Sequence, residues 1–324
     1  MTSLLIDRSK TIDVVAVGSW TNFDHLFRVD RIPQRGDTVR ITSPIEQVET
    51  TYYGGCALNN ISTAAKLGAK TGIITIVGED FKCRSYYKYL DDLHVNLNGL
   101  IQVQGKYCGH SFLFADPHGD AICLSQIGVS EQQEDFEPNA DMLSNSKVVV
   151  INYHFDRFTV KAAKIAHMKN CLVIASGSLT TSPEYVIDIL KNTDLLICTE
   201  HELEQILQQC GFSDESITRL YQIGIQAIIE THGVDGSMIR TPEQTYKVPA
   251  VLSKNVVDPV GAGDAFTGGV AAGLAFKCSL EDSVELGATV ASFVIEAMGC
   301  QTNQPTREQV IARLKENGKT LNLQ

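Results

Sequence analysis

The stretch that most constrains this chain is Asn255–Phe276, NVVDPVGAGDAFTGGVAAGLAF. Val256-Val257 reads as a short strand that must stop at Asp258-Pro259, because proline cannot donate a ladder hydrogen bond. Gly261 and Gly263 let the backbone turn tightly, and from Ala265 the run is helix-forming. Gly268, Gly269 and Gly273 each lower helix propensity by about 1 kcal/mol relative to alanine, so another backbone or a ligand is expected against this helix. A strand, a turn and a helix in succession leave the first helical N–H groups without intrahelical partners. With the positive end of the helix dipole, those donors form an anion site. Asp264 falls in that first turn. A carboxylate there repels a phosphate unless it has a chemical task, and taking a proton from a hydroxyl that attacks a phosphoryl group is such a task. A lone Asp after glycine would read as a helix cap; the whole string favours a general base.

Asp258-Pro259-Val260-Gly261-Ala262-Gly263-Asp264 resembles the C-terminal signature D-[TP]-x-G-A-G-D of the PfkB/ribokinase-like family of sugar and nucleoside kinases. The resemblance implies an anion hole at Gly261, Ala262 and Gly263, with Asp264 as catalytic base. It implies ATP as phosphate donor, Mg2+ as required metal, and K+ as an activating cation. The K+ site would use Asp258 with backbone carbonyls of Val260, Val294, Ala297 and Gly299, the last three at the end of a helix expected over Glu285–Ala297. Tyr53–Asp80 is similar to the family's N-terminal signature, in which Gly54, Gly55 and Asn59 touch the substrate. Glycines there permit close backbone approach, and an Asn offers a polyol both donor and acceptor; taken alone, Asn59 would read as the cap of a helix over Asn60–Leu67.

Asn22-Phe23-Asp24-His25, followed by Pro33 and Gly36-Asp37, resembles the family's lid segment and would place Asn22 and Asp24 against substrate hydroxyls. Thr231-His232-Gly233-Val234-Asp235-Gly236 resembles its nucleotide loop, implying Thr231, Gly233 and Gly236 at the nucleotide; by spacing alone it is a hairpin turn. The family's N-x-x-E, which organises magnesium and phosphates, appears as Thr199-Glu200-His201-Glu202, so Glu202 is kept and Thr199 replaces Asn. Cys56 and His154 stand where ribokinases carry Lys and Glu, which puts ribose itself in doubt. The Gly-Gly-Cys-Ala context also resembles bacterial adenosine kinases. A nucleoside kinase, or a non-catalytic binding member of the fold, are the competing readings.

Elsewhere the pattern is of one α/β unit. Thr11–Gly18 reads as a buried first strand. Arg28–Ile32 and Thr38–Thr42 alternate, and Gln102–Ile127 alternates about Asp116–Asp120, a turn; together these read as a small antiparallel lid. After Lys147, strands at Lys147–Tyr153, Cys171–Ala175, Leu195–Cys198 and Ala227–Thr231 alternate with helices at Val160–Met168, Pro183–Leu190 and Glu202–Cys210. That rhythm predicts a ribokinase-like, doubly wound, largely parallel sheet with helices on both faces, plus a small β-sheet lid. We expect a single kinase domain over 1–324, with lid segments at about 19–53 and 102–127 inserted in the α/β core.

Composition closes off other classes. The 324 residues carry a net charge of −11, against the basic face that nucleic-acid binding requires. Nine scattered cysteines without a C-x-x-C read as reduced thiols, and the eight histidines lack zinc-ligand spacing. No secretory leader or apolar run of about 20 residues is evident, so a cytoplasmic protein with no membrane partner is expected. Gly318-Lys319-Thr320 has Arg313 where a phosphate-binding loop needs its first glycine, and Gly261-Ala262-Gly263 lacks the third glycine of a dinucleotide fold. The expected partner is a small sugar or nucleoside, and exposed lid edges suggest a homodimer through the lid.

Overall fold

The computed structural model describes residues 4–18, 20–118, 120–152, 155–177, 183–212 and 217–321. The strands are β1 (Ile12–Val17), β2 (Asn22–Arg28), β3 (Tyr52–Gly54), β4 (Thr71–Val77), β5 (Asn96–Gln102), β6 (Gly109–Ala115) and β7 (Ala121–Gln126), then β8 (Ser146–Asn152), β9 (Leu172–Ser176), β10 (Leu195–Thr199), β11 (Ala227–Thr231), β12 (Ser237–Arg240) and β13 (Thr245–Val248). The helices are α1 (Ile45–Glu49), α2 (Cys56–Lys66), α3 (Asp80–Cys83), α4 (Tyr86–Asp92), α5 (Ala140–Ser144) and α6 (Arg157–Met168), followed by α7 (Pro183–Leu190), α8 (Glu200–Gln209), α9 (Ile217–Gln222), α10 (Ala262–Ala275), α11 (Leu280–Val294) and α12 (Arg307–Glu316).

The apolar run of β1 sits in the middle of the large sheet, ordered β13-β12-β11-β10-β9-β8-β1-β4-β5. It is parallel from β11 to β5, with β12 and β13 closing one edge antiparallel. Because side chains alternate across a strand, Val14, Ala16, Val148 and Val150 enter one core with residues of α2, α10 and α11. Val15, Val17, Val149 and Ile151 enter a second core with α6 and α7. Both faces are therefore covered, as the uninterrupted apolar strands require. The chain returns to the far side of β1 at β8, and the carboxyl ends of the strands there open a crevice at the switch in strand order, where such sheets hold ligands.

The second sheet, ordered β3-β2-β6-β7, is the lid. β2–β3 and β6–β7 are antiparallel, but β2–β6 is parallel, with Asn22 opposite Gly109 through Arg28 opposite Ala115. The expected all-antiparallel lid is thus mixed, because β2 and β6 lie side by side without being joined by a hairpin. Alternation at Arg28–Ile32 and Thr38–Thr42 yields only an isolated Val29–Ile41 bridge.

Three further differences have local causes. Val256-Val257 forms no strand: Val256 is 61% exposed, and Val257 N donates to Ile295 O at 2.7 Å instead. The Val257 amide is spent on the C-terminal end of α11 rather than on a strand ladder. Helix α2 starts at Cys56, four residues before Asn60, because Gly55 takes φ +99° and turns the chain into the helix there. Helix α11 runs Leu280–Val294, starting where Ser279 Oγ accepts from Asp282 N at 3.0 Å. The glycines of α10 behave as anticipated. A Cβ on Gly268 would lie 2.5 Å from Asn60 O of α2, and on Gly269 2.8 Å from Gly287 Cα of α11.

Candidate active site

Helix α10 begins as the sequence indicated, with Gly261 (φ +80°) before Ala262 and Asp264 at its third residue. Gly261 is required twice over: its φ is left-handed, and a Cβ there would be 2.6 Å from Cys300 Cβ. At Gly263 a Cβ would meet nothing within 4 Å, so open space adjoins the helix terminus there. Ala262 N is bonded to Pro259 O at 3.2 Å. Among the described residues the amides of Gly261, Gly263 and Asp264 have no acceptor, and they form the donor set.

Asp264 faces this terminus and is held from α2. Asn59 Nδ2 donates to Asp264 Oδ2 at 2.8 Å, Asn60 Nδ2 to its carbonyl at 2.8 Å, and the Cys56 thiol also hydrogen-bonds the carboxylate. Burial pushes the Asp264 carboxyl above the usual range, against the lowering effect of Asn59 and Cys56, and the charge of Glu202 pushes the same way. Asn59 is inside α2 and caps nothing. It is oriented from behind: its Oδ1 accepts from Gln301 Nε2 at 2.7 Å and its carbonyl from Gln304 Nε2 at 3.1 Å. Gln301 also reaches Tyr86 Oη at 2.5 Å, and that hydroxyl donates to Gly54 O at 2.9 Å.

Asp24, on β2, is 6% exposed, and burial lifts its carboxyl to about 7; the Cys300 thiol lowers it, while Asp264 and Asp258 raise it further. The glycine pair exists for this carboxylate and the chain entering the lid. A Cβ on Gly54 would lie 2.1 Å from Asp24 Oδ2, and one on Gly55 2.2 Å from Trp20 O. Asn22 Nδ2 donates to Ser111 Oγ at 3.0 Å, and Ser111 and Ser125 hydroxyls meet at 3.0 Å on the lid.

These groups face one cleft of about 370 Å³. Of the residues anticipated from sequence, Asn22, Asp24, Gly55, Asn59, Thr199, Glu202, Thr231, Val260, Gly261, Gly263 and Asp264 line it. Gly54 lies behind Asp24. Gly233 and Gly236 shape the β11–β12 connection away from the lining, where a Cβ on Gly236 would meet Val248 O at 2.3 Å. His154 lies outside the described residues. Sequence reading passed over Trp20, Ser111, Ser125 and Cys300 on the walls, and Tyr86, Gln301 and Gln304 behind Asn59. The only signal for the last two was their position, Gln301–Gln304, just after Gly299.

Thr199 caps α8 in a reciprocal box: its Oγ1 accepts from Glu202 N at 3.2 Å, and Glu202 Oε2 accepts from Thr199 N at 2.8 Å. Thr199 thus keeps the terminus closed as Asn would. Glu202 still lines the cleft, and one carboxylate beside a phosphate site, completed by water and phosphate oxygens, is an ordinary donor set for Mg2+; the residues fit that ion. They fit a monovalent cation poorly. Both Asp258 oxygens are engaged, Oδ1 by Val260 N and Oδ2 by Gly299 N, each at 3.1 Å. The carbonyls of Val294 and Gly299 accept from Ala297 N and Thr302 N at 3.3 Å. A guanidinium also reaches this loop: Arg28 Nη2 donates to Val257 O and lies 3.5 Å from Met298 Sδ.

The model of the pfkB family carbohydrate kinases matches residues 12–307. The chain belongs to that family. It is 30% identical over 300 residues to a nucleoside kinase of Methanocaldococcus jannaschii, covering 92% of this chain and 95% of the relative. The crystal structure of that archaeal kinase superposes with a TM-score of 0.83, covering 95% of this chain and 99% of the other. Two more distant structures share the fold. One is a Burkholderia thailandensis nucleoside kinase with inosine (TM-score 0.82, 19% identity, 94% and 97% covered). The other is an Arabidopsis thaliana ribokinase with ribose and ATP (TM-score 0.78, 22% identity, 94% and 99% covered). The pfkB kinase is thus a phosphotransferase with the ribokinase-like fold, and none of its described helices is long and apolar enough to cross a membrane.

Proposed function

We propose that this pfkB kinase transfers the terminal phosphoryl group of ATP to the primary hydroxyl of a nucleoside. The observation that carries this reading is the convergence of Asp264, held by Asn59, on a helix terminus whose Gly261, Gly263 and Asp264 amides have no acceptor within the described chain. The nucleoside assignment is supported by the identity with the archaeal nucleoside kinase. It is also supported by the cleft, whose lid wall sets Trp20 and Leu113 beside Asn22, Ser111 and Ser125, an apolar surface with a polar edge suited to a base beyond the ribose.

The acceptor hydroxyl would lie between Asp264 and the helix terminus. Asp264 removes its proton as the oxygen attacks, and the amides stabilise charge on the phosphoryl oxygens. Asp24 accepts from the other sugar hydroxyls, and its raised pKa, about 7, leaves it able to give or take a hydrogen bond near neutrality. Thr199 and Thr231 also line the cleft and would face the nucleotide. Glu202 would hold Mg2+ through water, and that ion would supply neutralisation of the phosphate charge. The outer lid strand β7 is largely exposed, and a second lid covering it would give a homodimer.

A panel of nucleosides and free sugars with ATP, read by ADP release, tests the assignment. Turnover confined to free sugars would replace nucleoside by sugar as the acceptor. Tight ATP binding with no turnover of either set would favour the non-catalytic reading.

A further inference from the structure

The loop behind the helix terminus contains a buried charge without an ionic partner. Asp258 is 5% exposed, and none of the ion pairs among the described residues includes it or Arg28. The two reach the same pair of loops. Asp258 ties its two halves together, through Val260 N on its own side and Gly299 N on the other. Arg28 does the same one residue away, through Val257 O and Met298 Sδ. Arg28 ends lid strand β2, and its backbone is fixed there by Ser43 Oγ, which accepts from its N–H at 2.8 Å, and by Thr42 N, which donates to its carbonyl at 2.7 Å. A half-buried guanidinium directed at a carbonyl oxygen and a thioether, with no ion pair to a carboxylate among the described residues, does what a weakly hydrated metal cation does in a nest of dipoles.

We propose that Arg28 is the resident cation of this loop, a positioning residue that holds the turn before Gly261 in place of a monovalent metal ion. The inference rests on the phosphoryl-transfer reading for its catalytic consequence but not for its ion-binding consequence. The guanidinium polarises the Val257 carbonyl and pins the loop across to Met298, so the Gly261, Gly263 and Asp264 amides, four to seven residues after Val257, are aimed before substrate arrives. Since Arg28 belongs to the lid, the same bond ties the lid strand that carries Asn22 and Asp24 to the loop that leads into α10 and Asp264.

The test uses the full chain as wild type, Arg28→Ala, Arg28→Met and Arg28→Lys, at equal ionic strength in potassium, sodium or choline chloride. Melting temperature and thallium(I) binding report the cation site without any turnover; kcat and KM report its consequence. Wild type should show no potassium-specific stabilisation, bind no thallium and turn over equally in the three salts. Arg28→Ala should lose up to about 10²-fold in kcat in choline, the scale of a misplaced reacting group, with KM for ATP little changed. Added guanidinium or potassium should restore it, and Arg28→Met should be restored less because its side chain fills the space. Arg28→Lys should retain most activity, and shows that the position tolerates change if the Ala variant fails to fold. Potassium-specific stabilisation or activation of wild type would overturn the proposal, as would an Arg28→Ala variant with full kcat in choline or a loss that no cation rescues. Wild type that ignores potassium yet phosphorylates no acceptor would refute the phosphoryl-transfer reading and leave the cation assignment standing.

Discussion

Replacing Asp264 by Asn tests the chemistry with almost no change of shape. Asn59 cannot turn over to accommodate it, because its Oδ1 is committed to Gln301 Nε2 at 2.7 Å, which leaves Nδ2 facing residue 264 at 2.8 Å. The new amide must therefore present its carbonyl oxygen to Asn59 and its NH2 to the cleft, where a base is needed. A hydrogen bond to a charged acceptor contributes about 1.5–3 kcal/mol and a neutral one about 0.5–1.5, so roughly 1 kcal/mol is lost at this contact. Removing a carboxylate that burial already disfavours offsets that loss. Stability should thus change by less than about 1 kcal/mol, and ATP affinity should hold or improve with one negative charge fewer beside the phosphates. The rate should fall by about 10²–10⁴-fold, the contribution of a positioned general base, or roughly 3–5 kcal/mol of barrier. Steady-state kcat, ATP affinity and melting temperature measured on the same preparation separate lost chemistry from lost fold. The wild-type pH–rate profile should fall on the acid side at a pH above the ordinary carboxylate range, and that limb should vanish in the variant. A variant that folds, binds ATP and turns over near the wild-type rate would refute the general-base assignment and reduce Asp264 to a helix-terminal residue.

Burial lifts Asp24 to about 7 from an ordinary 3.8, so the folded protein holds that proton more tightly than the unfolded chain does. The stability this contributes is full below about pH 4 and is lost as pH rises through 7; Asp24→Asn should melt higher than wild type near pH 8 and converge with it near pH 4, at the expense of acceptor KM. Equal melting temperatures across that range would refute the burial argument. Gly54→Ala sets a methyl 2.1 Å from Asp24 Oδ2 and should cost about 1–3 kcal/mol of stability, the usual range for overpacking, while raising acceptor KM more than ATP KM; an unchanged acceptor KM would show that Asp24 does not engage the substrate. Light scattering at micromolar concentration should give about twice the 35.4 kDa chain mass if lids pair, and the monomer mass alone would refute the lid homodimer.

How far the sequence carries depends on the range of the forces involved. The turn before α10 was legible because its constraints are local: Pro259 ends extended structure, Gly261 alone accepts the left-handed φ, and Asp264 follows at fixed helical spacing. The parallel core was legible for a similar reason, since strands buried on both faces must be apolar throughout, as β1 and β8 are. Strand β5 was missed because an edge strand, paired only with β4, needs no such purity, and Asn96–Gln102 reads Asn-Leu-Asn-Gly-Leu-Ile-Gln. The sequence marked Gly54 and Gly55 as places of close approach but not what approaches: the space that Gly54 leaves is filled by Asp24, thirty residues earlier, and only folding brings the two together. The same holds for the chain from Tyr86 through Gln301 to Asn59, and for Arg28 on the loop before α10. Hydrogen bonds between residues more than two hundred positions apart leave no periodicity and no spacing to read. Their geometry is decided by the packing of α2, α10 and the lid, so the sequence by itself determined which groups could do the chemistry, and the tertiary structure decided which way they point.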